Sequence, residues 1–252
     1  MFGSSFGSQW FFDGSTHVEA FNRLMYLAES REAIGWLTGP DGSGRTVVLN
    51  RFRHELERSG FAVTMLNLSG MDQQMALSSL ADALRLSSDR ASSPSRLVRL
   101  LGEEFCGRAD CNVYSIVLID DAHRAVDGAT ALIRMLLAMR ARCGNGLTVI
   151  VASETSTAVD LTSDALIRVA LTPFDSTEAA DFVRTLVSQN GLRVSATDES
   201  VVRAISDCSA GSAARITRLC RLLKIVQDAT PELPLTADSV HAIHRELLPQ
   251  AA

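Results

Sequence analysis

The sequence predicts an α/β protein: a parallel β-sheet packed between helices, followed by a separate α-helical domain. Three observations carry this. Short apolar, β-branched runs alternate with amphipathic helical stretches as far as about residue 172, the pattern of a sheet covered on both faces. A glycine-rich bend, Gly39 to Gly44, falls between the first such run and a helix, where a phosphate-binding turn belongs. Beyond Pro173 the strand signals stop and only helical periodicity remains. The expected division is an α/β domain over 1–172 and a helical domain over 173–252.

Taken in order, Val18, Phe21, Leu24, Met25 and Leu27 recur at helical spacing, which makes 16–32 an amphipathic helix that Ser15 or Thr16 can cap. Residues 33–38 form a short buried strand, and 46–59 a helix stopped by Gly60. The run 61–68 alternates and is a second strand. A helix over 71–86, a polar loop over 87–94 and a helix over 95–107 follow. Val113 to Ile119 is a strongly apolar, β-branched strand that ends in Asp120 and Asp121. A helix over 130–142 has Gly144 past its end, 147–152 is another buried strand, and 167–171 a last short one. Helices are expected over 176–190, 197–208, 212–228 and 236–247, with Pro231 and Pro234 separating the last two.

A chain of 252 residues, 46% hydrophobic, can bury a sizeable core without disulfides or metal. Cys106, Cys111, Cys143, Cys208 and Cys220 contain no C-x-x-C pair. Cys106 and Cys111 are the only close ones, with no histidine cluster beside them. Neither a disulfide framework nor a zinc site is expected, and a reducing compartment suits this usage. No run approaches the roughly 18 apolar residues of a membrane span, and the Gly/Ser-rich start over 1–9 lacks a basic signal-peptide region. A cytoplasmic protein, free or peripherally docked, is the expectation. The net charge of −5 argues against a nucleic-acid coat over the whole surface and leaves room for a local basic patch. Every one of the 24 basic residues except Lys224 is arginine.

The motif that carries chemistry is Gly39-Pro40-Asp41-Gly42-Ser43-Gly44-Arg45-Thr46. It fits G-x-x-x-x-G-K-[ST] at every fixed position except the lysine. Glycines let backbone wrap closely round phosphate oxygens, their N–H groups form a nest, and the following helix adds positive potential. Thr46 is placed to offer its hydroxyl to Mg²⁺. The plain alternative is an ordinary glycine-rich turn between strand and helix. Arg45 keeps the charge of the usual lysine but presents a larger planar fork, able to hold phosphate in two places and harder to fit beneath the loop. Weakened nucleotide affinity or slow hydrolysis is expected.

A carboxylate at the carboxyl end of a central strand lies beside such a loop, so Asp120 is the expected Mg²⁺ partner. Asp121 stands where a glutamate commonly orients the attacking water. It is one methylene shorter, a displacement of about 1 Å. Leu118-Ile119-Asp120-Asp121-Ala122-His123 resembles the hhDEAH signature of ExeA/GspA-type secretion ATPases, with Asp for Glu. Phe11, Phe12, His17, Glu19, Ala20, Leu24, Tyr26 and Leu27 are similar to that family's lead-in. Further on, Leu166 to Val169, the run from Leu171 through Pro173 and Phe174 to Leu192, and Gly211 to Cys220 resemble its later segments. The resemblance spans about residues 10–247. It implies an AAA+ fold with an α-helical lid, ATP and Mg²⁺ as cofactors, and ATP-driven work on a protein partner in a secretion or envelope assembly. Related ATPases assist transposases.

The same resemblance implies that Arg215 contacts nucleotide from the lid; otherwise it is an exposed helix arginine. Arg218, Arg221 and Lys224 follow at three-residue steps, either as a solvated basic face or as a contact for nucleic acid. Arg168 either reaches a neighbouring subunit's γ-phosphate in a homo-oligomer or supports the core. Ser153 is the polar strand-end residue where a sensing group sits, or a turn serine. His123 is expected to pack or bond within its loop, and Trp36 to be core. Phe11 and Phe12 divide between core and base-packing roles. Three functions are in view: an ATPase remodelling a protein assembly, a degenerate nucleotide-binding scaffold with little hydrolysis, and a DNA-associated transposition helper.

Overall fold

Among the residues described by the computed structural model, five strands and nine α-helices follow one another as α1 (Ser15–Glu29), β1 (Ile34–Thr38), α2 (Arg45–Arg58), β2 (Ala62–Asn67), α3 (Gln73–Ala83), α4 (Pro94–Asp110), β3 (Ser115–Asp120), α5 (Thr130–Arg142), β4 (Leu147–Ser153), β5 (Ile167–Ala170), α6 (Ser176–Gln189), α7 (Glu199–Ser209), α8 (Ala213–Ala229) and α9 (Ala237–Leu247). The described residues are 12–86, 93–127, 129–154, 167–193, 198–230, 232 and 234–247. The start over 1–9, Phe11, residues 87–92 of the polar loop, Leu166, residue 197 and Pro231 lie outside them.

The sheet runs β2-β3-β4-β1-β5, and every pairing is parallel. Successive side chains of a strand face opposite sides, and each side has its own core. Ile116 and Leu118 pack with Leu24 and Leu27 of α1 and with Phe52 and Leu56 of α2. Val117 and Ile119 pack with Leu80 of α3, Leu101 of α4 and Leu136 of α5. All of these residues are fully buried. Trp36 joins the second core at 2% exposure, as a core residue should. The strand that feeds the glycine bend is tightly fitted: a Cβ on Gly35 would stand 2.2 Å from Cδ1 of Leu27 and 3.2 Å from Cδ1 of Ile150.

Several element ends differ from the sequence expectation, each for a local reason. Helix α1 stops at Glu29 because Arg31 turns left-handed (φ 55°) and the amides of Arg31 and Glu32 bond back to Ala28 and Leu27. Helix α3 begins later than 71 because the Asp72 side chain caps it, accepting the Met75 amide at 2.7 Å. It ends before a left-handed Arg85. Helix α4 begins at Pro94, which belongs to the helix as its first residue, with Ser93 as cap. Strand β3 starts only at Ser115, since the Val113 amide donates to Arg108 and closes the end of α4.

The cysteine expectation is corrected. Cys106 in α4 and Cys143 at the end of α5 are joined as a disulfide, with Cα atoms 4.6 Å apart and a sequence separation of 37. Spacing along the chain did not suggest the pair because the side-by-side packing of α4 and α5 creates it. Cys111, Cys208 and Cys220 are free. No helix among the described residues is long and apolar enough to cross a membrane.

The described chain clusters into two units. The first comprises His17–Pro40 and Arg45–Leu171, and so holds the sheet. The second comprises Phe12–Thr16, Asp41–Gly44 and the residues from Thr172 on, with helices α6 to α9. Phe12, Phe174 and Phe182 form a ring cluster in it, with Phe12 and Phe182 centroids 4.9 Å apart, which gives Phe12 a packing role. The Phe174 amide donates to the Gly211 carbonyl at 2.9 Å. A Cβ on Gly211 would lie 2.3 Å from the Phe174 oxygen, and Gly211 has φ 71°, so glycine is required there twice over.

Candidate functional site

Parallel strands deliver their carboxyl ends to one edge of a sheet, and ligands of such folds gather there. At that edge β1 ends in Thr38, β3 in Asp120 and β4 in Ser153. Gly39 to Thr46 connects β1 to α2, as the sequence predicts. Gly42 (φ 81°) and Gly44 (φ 96°) are left-handed, whereas Asp41 and Ser43 are not. Alternating handedness of this kind turns successive N–H groups toward one point, the geometry of an anion nest. Ser43 is buried, and Pro40 and Asp41 are exposed.

Within the second unit the Gly42 carbonyl accepts the Ala214 amide at 3.1 Å and the Ser212 hydroxyl at 3.5 Å. A Cβ on Gly42 would meet Ser212 Oγ at 2.8 Å and Ala214 Cβ at 2.9 Å. Ser212 also caps α8, its Oγ accepting the Arg215 amide. Arg215 therefore stands exposed in the first turn of the helix whose start meets the tip of the loop.

The Thr46 hydroxyl donates to Asp120 Oδ2 at 2.7 Å, and Asp120 is fully buried. A hydroxyl beside a carboxylate at the start of the helix after a glycine nest is an all-oxygen donor set. That set fits Mg²⁺ with a polyphosphate. Asp121 follows with φ 50°, a left-handed position unusual for a residue other than glycine. Its Oδ2 accepts Asn67 Nδ2 at 3.0 Å. Asn67 is not among the residues the motifs single out. It stands opposite Asp120 in the β2–β3 register, and a polar residue closing the neighbouring strand was the available signal.

Arg45 is buried at 6% exposure. One guanidinium nitrogen donates to the Gly39 carbonyl, and the other lies 3.6 Å from Asp121 Oδ1. The arginine that replaces the expected lysine is thus folded inward, its planar fork placed between the Gly39 carbonyl and the Asp121 carboxylate.

The remaining candidates are scattered. Ser153 is buried at the end of β4, opposite Thr38 of β1. His123 accepts the Glu154 amide at Nδ1, 3.3 Å away, as a loop-bonding histidine. Arg168 is on β5, opposite Trp36, and exposed. Arg215, Arg218 and Arg221 are exposed on α8, whose other face buries Ile216, Leu219 and Leu223. Lys224 pairs with Asp228 at 2.8 Å.

The chain matches the family described as AAA domain over residues 28–158, just over half of its 252 residues. No curated protein matches it. Solved structures match its fold. Cdc6p from Pyrobaculum aerophilum is 14% identical with a TM-score of 0.76, the match covering 94% of this chain and 69% of that one. A chain of Drosophila ORC bound to DNA is 16% identical with a TM-score of 0.69, covering 90% and 59%. The Aeropyrum pernix ORC2 protein in ADPNP–ADP complexes is 14% identical with a TM-score of 0.66, covering 94% and 69%. At such identities the likeness concerns the fold, a five-stranded parallel sheet between helices with further helices at the C-terminal end.

Proposed function

This chain belongs to the AAA domain family, and from that premise we propose that it binds ATP with Mg²⁺ and couples the nucleotide, through weak hydrolysis, to a protein assembly. The observation that carries this is the Thr46 hydroxyl on Asp120 at 2.7 Å, directly after a bend with left-handed glycines at 42 and 44. The loop amides of Gly39 to Thr46 would hold the phosphates, and Thr46 and Asp120 the metal, whose charge offsets that of the phosphates. Asp121 is the candidate for orienting water. Arg215 is the candidate nucleotide contact from the C-terminal helices. Arg168, exposed on β5, is the candidate for reaching a second copy in a homo-oligomer.

The resemblance to ExeA/GspA-type ATPases supports a secretion or envelope partner and cytoplasmic work at its end of the assembly. A second reading rests on the exposed Arg215, Arg218 and Arg221 of α8 and on the likeness to an ORC chain solved on DNA: a DNA-associated helper. DNA binding that needs ATP and weakens steeply with salt would select it.

Calorimetric titration of ATP with and without Mg²⁺ tests the proposal, beside a steady-state turnover assay. Binding should tighten at least about tenfold with Mg²⁺, and Asp120→Asn should abolish that gain. No affinity for ATP at millimolar concentration refutes nucleotide binding. Binding without measurable turnover leaves a nucleotide-controlled scaffold.

A further inference from the structure

We propose that Arg45 is an internal counterion: it holds Asp121 in the resting site and exchanges that carboxylate for the terminal phosphate of a nucleoside triphosphate. The inference rests on the nucleotide-binding proposal and adds to it a way the site is held before ligand arrives.

The topology sets up the contact. Gly39 follows β1 and Asp121 follows β3, and β4 lies between those strands. The two strand ends are therefore roughly 10 Å apart, two inter-strand spacings. The Arg45 fork reaches both, donating to the Gly39 carbonyl and facing Asp121 Oδ1 at 3.6 Å. The side chains are 6% and 19% exposed, so the charges meet largely out of water, and neither is cheaply left alone there.

The two ends of the arginine are held differently. The bond to Gly39 is a hydrogen bond to backbone. The contact with Asp121, at 3.6 Å, is an ion pair longer than a hydrogen bond. Asp121 is also held from its other oxygen by Asn67 at 3.0 Å, so it keeps a partner when the arginine leaves. A phosphate entering the bend of Gly39 to Thr46 meets the same guanidinium, carries more charge than one carboxylate and accepts two parallel N–H bonds. It displaces Asp121 from Arg45, and the freed carboxylate faces the ligand. Asp121 is then a group withheld by Arg45 until a triphosphate claims the arginine, and Arg45 acts as a positioning residue for it.

A double-mutant cycle tests this in the full chain, with Arg45→Met, Asp121→Asn and both together. In the nucleotide-free protein, equilibrium unfolding by urea should show Arg45 and Asp121 coupled by about tenfold in the unfolding constant. Calorimetry with a non-hydrolysable triphosphate and Mg²⁺ gives the second readout. Asp121→Asn should tighten binding by about tenfold when Arg45 is present and by less than about twofold in the Arg45→Met background. Coupling below about twofold without nucleotide overturns the counterion. Equal tightening in both backgrounds overturns the exchange, because removal of a negative charge then explains it alone. Failure of the wild-type protein to bind any triphosphate refutes the nucleotide proposal and the exchange with it. Binding without coupling refutes only the inference made here.

Discussion

Strand β1 leads into the phosphate loop, and Gly35 within it has no room to grow. In Gly35→Ala the new methyl would stand 2.2 Å from Leu27 Cδ1, where contact requires about 3.5–4 Å. Leu27 is fully buried and Gly35 is paired on both edges, with Ile150 and Ile167, so neither can simply withdraw. Overpacking of this kind costs about 1–3 kcal/mol. The reduced freedom of the unfolded chain returns only about 0.4–1 kcal/mol, so the substitution should destabilise. Leu27→Ala alone leaves a cavity and should cost about 2–5 kcal/mol. In the double variant the added methyl enters the space that leucine left. The pair should then be at least about 1 kcal/mol more stable than the sum of the single effects. Urea denaturation followed by far-ultraviolet circular dichroism measures all four proteins. Additivity within about 0.5 kcal/mol would show that Leu27 does not confine β1 as described.

Two further outcomes follow from particular contacts. The Cys106–Cys143 bridge should leave those two thiols protected from alkylation in the folded, unreduced protein, while exposed Cys111 reacts and Cys220, whose thiol burial pushes up to about 12, does not. Reduction should lower stability by about 3–4 kcal/mol on a chain-entropy basis; labelling of Cys106 without reductant would refute the bridge. Asp198 caps α7, and the Ser200 hydroxyl, then the Val201 and Ser200 amides, hold its carboxyl below the usual range. Its contribution to stability is present above the unfolded-state value and lost as pH falls through the lowered folded one. The stability gap between wild type and Asp198→Ala, measured by urea unfolding, should persist from neutral pH to about 5 and shrink below about 4. A gap independent of pH would rule out the carboxylate as its source.

Much of the architecture was legible because apolar pattern and turn chemistry agreed. The run into Asp120 announced a central strand, and Gly39 to Thr46 announced the turn between strand and helix. What stayed hidden depended on neighbours distant in sequence. Val113 is as β-branched as Ile116 and Val117, but its amide closes α4, so the strand starts at Ser115. Pro94 looked like loop, although Ser93 before it is a helix cap. Cys106 and Cys143 meet only because two helices pack side by side. In the site, the identity of Arg45 was plain, but its inward fold onto Gly39 and Asp121 was not, since spacing does not say which acceptors a long side chain finds. Asn67 showed only as a polar residue at the end of a strand; its register opposite Asp120 is a property of the sheet.

The strand order has a consequence for how the molecule is made. Both partners of β1 come late: β4 begins at Leu147 and β5 ends at Ala170. A chain emerging from the ribosome carries β1 with both edges open until more than a hundred further residues have been synthesised. The bend over Gly39 to Thr46 hangs from that unfinished strand, so its shape waits for a distant closure, with the slow kinetics that non-local pairing imposes. Synthesis arrested before Leu147 would yield helices and a β2–β3 pair around a first strand that has nothing to hold it.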